Sequence, residues 1–380
     1  MERGYQELEW RTDINRTCNE LYYQAEAQVK EKGFAIYRQP YAKECTVISG
    51  GVHAIPSCIA LSGHSGFVMA PFNPTAEEPL LVISPDEVEY LQGVEDFTGS
   101  SRFFGYSGLS GISGISAPAA GSRADYHIDF LNFHAHLLND DFQKLVLSRS
   151  ILVERKEDIS PIALFLRACE CYPRMFISLV FTPQTGMWLT ATPEILLAGQ
   201  NGQWQTVALA GTMAYAEELQ WSDKNKQEQR YVATYIIEQL EHFTNHFSEE
   251  GPYTARAGHL AHLRSDFHFT LPDDNSVGEL LQALHPTPAV CGLPKQDACR
   301  FILQNEHHSR SYYSGFMGPL FVDGKTSLFV TLRCMQLYKN AYRLYAGGGL
   351  LKDSIEEQEW QETETKLDTM RRIIEIRDNR

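Results

Sequence analysis

The stretch YYSGFMGPLFVDGKTSLFVTLRCMQLYKNAYRLYAGGGL, residues 312–350, is dense in β-branched and aromatic residues and is interrupted at DGK and KNA. Apolar runs punctuated in this way predict a β-meander with turns at those two points. Upstream, MFISLVF, GMWLTATPEILLAG and QWQTVALAGT predict consecutive strands joined by tight turns. KLVLSRSILVER, residues 144–155, predicts a further strand with Lys144, Val146 and Ser148 on one face and Leu145 and Leu147 on the other. Helices are expected over HIDFLNFHAHLLNDDF and PIALFLRACECY, from Ser222 to His246, and from Ile355 to Ile376. Runs of hairpin strands with helices between them predict an α/β protein of the α+β layered kind, not a doubly wound parallel sheet. The Gly/Ser/Ala-rich stretch GYSGLSGISGISAPAAGSRADY, residues 105–126, reads as a loop or mobile cover. It divides an N-terminal part, residues 1–124, from a core, residues 125–380, and the two are expected to share one integrated domain.

Composition narrows the function classes. The chain has 380 residues, 43% of them hydrophobic, which is enough for a large core. No apolar run reaches the roughly 20 residues that span a bilayer, and the polar start MERGYQELEWRTDINR does not read as a secretory signal. A cytoplasmic protein is expected. The eight cysteines include no C-x-x-C pair and are read as reduced thiols. A net charge of -15 without a basic stretch argues against nucleic acid. It does not argue against a small anion, because a few cations or a metal reverse the potential inside a cleft. No G-x-G-x-x-G or Walker motif is present, so no nucleotide cofactor is expected.

Several polar residues fall where the patterns call for apolar ones. In SDKNKQEQRYVATYIIEQLEHF the stripe Val232, Tyr235, Ile236 and Leu240 leads back by one turn to Glu228. A carboxylate there needs a cation or a donor, so it is either a boundary ion pair or part of a site. In the last helix Ile355, Glu359, Glu362, Lys366, Met370 and Ile373 share one face. Two carboxylates one turn apart repel each other unless a cation lies between them, and oxygen ligands suit magnesium; a solvated acidic helix end is the other reading. Lys144 opens a strand otherwise built for burial. Burial disfavours the charged form of a lysine and suits it to act as a base; a lysine whose head reaches solvent at the strand end is the alternative. Glu194 follows a Thr-Pro turn, Arg333 lies inside an apolar strand, and glycines cluster at AGGGL, residues 346–350. Such glycines form either a bulge or a place where backbone N–H groups approach an anion. Together these residues supply acids, a base and anion binders on surfaces otherwise buried, as a closed metal-dependent site requires.

Ten segments, in order, then carry a resemblance: KLVLSR, ATPEILL, ALAGT, DKNKQEQ, HLRS, HPTPAVCGLPK, SYYSGFMG, TLRC, YAGGGLLKDS and EWQETETK. Over residues 125–375 the chain resembles the chorismate-utilising enzymes, a family of isochorismate synthases, salicylate synthases and the large subunits of anthranilate and aminodeoxychorismate synthases. The resemblance implies the anthranilate-synthase-component-I-like fold, two face-to-face β-sheets with helices packed outside. It also implies roles. Lys144 matches the lysine that activates water, and Glu194 the general acid. Glu228 and Glu362 match direct Mg2+ ligands, with Glu359 beside them. Gly211 and Thr212 match the ring pocket, and His262 a substrate contact. Tyr313, Arg333, Gly347, Gly349 and Lys366 match groups that hold substrate carboxylates. Asn225 departs from the pattern, standing where several relatives carry an acid. Gly348 and Cys291 stand where alanine and serine are common.

Within the family, Lys144 resembles the base of the water-using members, and the ammonia-using members lack it. Ala289 stands where salicylate synthases and anthranilate enzymes tend to carry threonine, and so resembles the isochorismate synthases. The implied activity is the reversible, magnesium-dependent conversion of chorismate to isochorismate, for menaquinone or siderophore biosynthesis. A salicylate synthase, an amine-forming enzyme and an inactive chorismate-binding relative are the alternatives. A monomer without an amidotransferase subunit and without membrane or nucleic-acid partners is expected.

Overall fold

The computed structural model describes residues 32–92, 117–156, 159–216, 218–257 and 260–375. Residues 105–116 of the Gly/Ser-rich stretch therefore lie outside the described residues. The strands are β1 (Lys32–Arg38), β2 (Cys45–Ile55), β3 (Gly66–Ala70), β4 (Leu80–Leu91), β5 (Lys144–Glu154), β6 (Phe176–Thr182), β7 (Gly186–Thr192), β8 (Ile195–Gln200), β9 (Gln203–Ala214), β10 (Phe247–Ala257), β11 (Leu260–Thr270), β12 (Gly292–Leu293), β13 (Phe316–Leu320), β14 (Lys325–Val330), β15 (Cys334–Leu337) and β16 (Ala341–Leu350). The helices are α1 (Arg123–Leu138), α2 (Pro161–Cys171), α3 (Asp223–Leu240), α4 (Ser276–Leu284), α5 (Lys295–Asn305) and α6 (Glu356–Glu375).

Neighbouring strands pair in the order β10-β11-β9-β8-β14-β13-β3-β4-β2-β1-β6-β7-β15-β16-β5-β12. Strands β1–β4 lie in the middle of this ladder, so residues 32–91 and the later strands share one hydrogen-bonded sheet.

Two expectations are corrected here. GMWLTATPEILLAG is not one strand but two, β7 and β8, which do not pair with each other: β7 joins β6 and β15, and β8 joins β14 and β9. Pro193 breaks the stretch, since it has no N–H for a ladder. The C-terminal meander is likewise two hairpins, β13–β14 and β15–β16, separated at Thr331–Arg333. These two breaks lie side by side. Val330 N–H donates to Glu194 O at 2.9 Å, and Ala191 N–H donates to Arg333 O at 2.8 Å.

Because β7 runs on into β8 and β14 into β15, the ladder folds back until its two halves face each other. Phe176 on β6 stacks on Phe329 of β14 with ring centroids 4.3 Å apart, although these strands are not neighbours. Phe67, Trp188, Met317 and Tyr345 fill the same interior. The two facing sheets of the expected fold are thus halves of one continuous ladder.

Helices cover the outer faces. Val232, Ile236 and Leu240 of α3 and Leu280 and Leu284 of α4 pack on Leu197, Ala208 and Phe267. Leu367, Met370 and Ile373 of α6 join α2 over β6, β7 and β16. Helix α3 stops at Leu240, short of the expected His246. The amides of Glu241, His242 and Phe243 turn back onto Ile237, Gln239 and Leu240, and the chain enters β10. Ile355, expected to lead the buried stripe of α6, is 55% exposed. The stripe begins instead with Glu359 and continues through Thr363 and Leu367.

Candidate active site

One cleft gathers most of the residues singled out from the sequence. Its walls include Glu194, Gly211, Thr212, Glu228, His262, Ala289, Tyr313, Arg333, Gly347, Gly349 and Lys366, with Val146, Leu209, Ala210, Val290, Leu332 and Ala346 between them. Lys144, Glu359 and Glu362 do not form its wall; Lys144 stands beside Glu228 against Gly349, and Glu359 and Glu362 stand against Gly348. A methyl group on Gly349 would lie 2.0 Å from Glu228 Oε1 and 3.0 Å from Lys144 Cε, and one on Gly347 would lie 2.7 Å from the Tyr313 hydroxyl oxygen. Glycine is needed at both positions because the side chains approach the backbone so closely. At Gly348 a methyl group would be 3.5 Å from carboxylate oxygens of both Glu359 and Glu362, an ordinary contact, so alanine is accommodated there.

Each acid faces a lysine. The Lys144 ammonium lies 3.0 Å from Glu228 Oε1, off the direction of a hydrogen bond. Lys366 donates to Glu362 at 2.6 Å and to Gly347 O at 2.8 Å. Lys224 pairs with Glu359. Burial works to raise the Glu228 pKa, but Lys144 and Lys224 outweigh it and hold the group below its ordinary value. Burial raises that of Glu359; Lys224 opposes the rise and Glu362 adds to it. Lys144 is wholly buried, as its place in the strand implied, but beside a carboxylate and not in an apolar slot. Lys224 was missed in the sequence: it stands one turn before Glu228 on α3, but its partner Glu359 lies on α6 and is brought to it only by packing.

Glu194 is different. It is buried at the β7–β8 crossover, and its Oε1 has no hydrogen-bond partner. Burial pushes its carboxyl up to about 8, against the opposing pull of Arg333, Lys144 and Lys366. At neutral pH the group is an acid that holds its proton.

His262 completes the polar wall. Its Nδ1 is 3.1 Å from Gly211 O and its Nε2 is 3.0 Å from Arg333 Nη2. A carbonyl only accepts and a guanidinium only donates, so Nδ1 carries the proton and Nε2 accepts. Burial, then Arg333 and Lys366, hold this imidazole well below its ordinary pKa, and the ring is neutral. Arg333 Nε is buried without a partner, as is one oxygen of Glu194. Gly211 has φ +66 and forms the bulge between β9 and β11; Asn225 packs on it, 3.1 Å from the position of a Cβ.

The donor types at Glu228, Glu359 and Glu362 suit a hard cation. Among the described residues, however, no three carboxylate, imidazole or thiol groups stand close enough to share an ion as placed, because each acid is turned to its lysine. The cleft has a cavity volume of about 50 Å³, and Lys224, Glu362 and Lys366 beside it are partly exposed.

The chain belongs to the chorismate-binding enzyme family, whose model, described as "Chorismate binding enzyme", matches residues 122–375. The Salicylate biosynthesis isochorismate synthase of Pseudomonas aeruginosa is 34% identical over 198 residues, covering 49% of this chain and 42% of the relative. Isochorismate synthase MenF of Escherichia coli is 33% identical over 199 residues, 50% of this chain and 46% of the relative. These matches span about half the length of the relatives. In fold, the chain is similar to the putative 2,3-dihydroxybenzoate-specific isochorismate synthase DhbC from Bacillus anthracis, with a TM-score of 0.74 at 20% identity over 94% of this chain and 99% of that one. It is also similar to anthranilate synthase component I from Streptococcus pneumoniae, with a TM-score of 0.66 at 17% identity over 89% of both chains. Among the described residues no helix is long and apolar enough to cross a membrane.

Proposed function

We propose that the protein is an isochorismate synthase. The observation that carries this reading is the buried carboxyl of Glu194, pushed up to about 8 by burial and with one oxygen unpartnered, in a cleft that also holds Arg333, His262 and Lys366. Arg333 and Lys366 balance the two carboxylates of chorismate. In the forward direction Lys144, once it has lost a proton and left its ion pair with Glu228, acts as a free amine and takes a proton from water as its oxygen adds beside the carboxylate-bearing ring carbon. Glu194 gives its proton to the hydroxyl leaving across the diene. Water is taken up and water is released. Lys144 ends with one proton more and Glu194 with one fewer, and exchange with solvent restores both. In the back reaction the two groups exchange roles.

Glu228 and Glu362 would hold magnesium, with Glu359 beside them. The ion, when bound, supplies a Lewis acid for the ring carboxylate. Magnesium at about a hundred times its dissociation constant should stabilise the fold by about 2.7 kcal/mol. Thermal melts with and without the ion measure this gain, which Glu362→Gln should lose. Turnover should cease in excess chelator and return with magnesium. Full activity in chelator would end the metal assignment.

Product analysis tests the reaction itself. Purified protein given chorismate should bring it to equilibrium with isochorismate and stop there, because Ala289 occupies the position that separates the activities. Salicylate and pyruvate formed at a comparable rate would favour a salicylate synthase instead. Menaquinone biosynthesis is the pathway we favour over siderophore biosynthesis.

A further inference from the structure

Arg310 lies just before β13 and has been given no role above; its backbone carbonyl accepts the Tyr313 N–H at 2.9 Å. Its guanidinium is buried and donates in four directions. Nη1 donates to Val290 O at 2.7 Å, and Nη2 to Val146 O at 2.7 Å. Nε and Nη2 donate to the two oxygens of Glu306 at 2.7 and 2.6 Å. The ring of Phe72 covers the guanidinium at 4.5 Å. Glu306, itself almost wholly buried, also accepts the Ser148 N–H at 2.7 Å. One side chain thus bridges strand β5 and the turn at Thr287–Cys291. That turn is closed by the amides of Val290 and Cys291 on Thr287 O, and it meets β5 again where Val146 N–H donates to Cys291 O.

The two carbonyls Arg310 holds belong to Val146 and Val290, and both residues line the cleft, as does Ala289. Glu194 sits apart at the β7–β8 crossover, and Lys144, although two residues from Val146 on β5, has its own supports: its side chain is paired to Glu228 and its backbone lies opposite Leu293 of β12. An extended buried arginine whose planar fork spans two carbonyls and one carboxylate has no equivalent in lysine, which is a single point donor on a flexible stem.

We propose that Arg310 is a positioning residue: through Val146 O and Val290 O it sets the spacing of the cleft wall formed by Val146, Ala289 and Val290, and so the affinity for substrate. It touches no reacting atom. The proposal rests on the reading of chorismate as substrate. Its signature is a rise in KM with little change in kcat, because the wall moves while the acid and base keep their own supports.

The experiment compares Arg310→Lys with the wild type in chorismate turnover, with melting temperature measured alongside. Arg310→Lys keeps the charge beside Glu306 and loses the double hold on the carbonyls. KM should rise about tenfold and kcat should change less than about threefold, the pattern of binding lost equally from ground and transition states. Arg38→Lys is the control. Arg38 holds the carbonyls of Tyr172, Pro173 and Met175, none of which lines the cleft, so this change should lower the melting temperature and leave KM alone. Glu306→Gln keeps Arg310 but loosens it and should raise KM in the same direction by a smaller factor, about threefold. It carries the test if Arg310→Lys does not fold. Lower melting temperatures with wild-type KM, or a loss confined to kcat, would overturn the proposal. Wild-type protein that left chorismate unchanged would instead sink the functional reading, and with it the substrate named here.

Discussion

Lys144→Ala should turn over chorismate at least about a hundredfold more slowly than the wild type, the low end of what a positioned general base contributes. The structure adds a second effect. Lys144 is wholly buried and faces Glu228, so alanine leaves a buried carboxylate facing a void, with Lys224 and Lys366 still lowering its pKa. Breaking one side of a buried pair costs about 3–5 kcal/mol, so a lower melting temperature should accompany the loss. Lys144→Gln separates the two effects: it keeps most of the volume and can donate to Glu228, but it cannot take a proton from water. Turnover should fall by a similar factor in both variants, while Lys144→Gln keeps more of the stability. Rapid turnover by Lys144→Gln would remove Lys144 as the base.

Glu194→Gln should slow the reaction about a hundredfold or more in both directions and by similar factors, since one group is acid forward and base in reverse. The amide keeps the shape and a hydrogen-bond donor, so chorismate binding should change little. The pH profile makes the test specific. The carboxyl titrates near 8 because burial raises it, and the forward reaction needs the protonated form. Forward turnover should therefore fall as pH rises through about 8, and the residual turnover of Glu194→Gln should lack that limb. Stability carries the same sign. Between the unfolded value near 4.5 and the folded value near 8 the native state binds more protons, so Glu194 makes the protein less stable as pH rises across that window. Glu194→Gln should flatten this slope in melts taken over that range. Near-normal turnover would make Glu194 a mere pocket wall, and the acid would have to be another group in the cleft.

The arrangement also explains why both kinds of residue fall where they do. Glu194 and Arg333 each stand at a place where a strand passes from one half of the folded ladder to the other. At such a crossover the sheet hydrogen bonds are interrupted and side chains of both halves meet. A buried acid and a buried guanidinium are therefore held there by neighbouring strands on several sides, without a loop having to order itself around them.

Local chemistry determined a good part of this protein. Period-2 and period-3.6 patterns are properties of a chain segment alone, so β5, β9 and α6 were legible to within two residues, and α3 was legible at its start though not at its end. The same patterns exposed Glu228 and Glu359, because a carboxylate on an apolar stripe stands out wherever the helix docks. Lys144 stood out for the same reason at the head of its strand. Tertiary structure decided the rest. A strand pattern says which face is buried but not which strand lies alongside, so the separation of β7 from β8 and of β14 from β15 could not be read from it. Ile355 fits the stripe of α6 by spacing, yet it precedes the helix and faces solvent. Strands β1–β4, from the part of the chain with the weakest family match, proved to be the middle of the sheet. Lys224, and the pairing of each acid with its own lysine, came only with the packing of α3 and α6 against the glycine run of β16. So did Arg310: its partners are backbone carbonyls 20 and 164 residues away, and a carbonyl carries no residue identity for a sequence pattern to show.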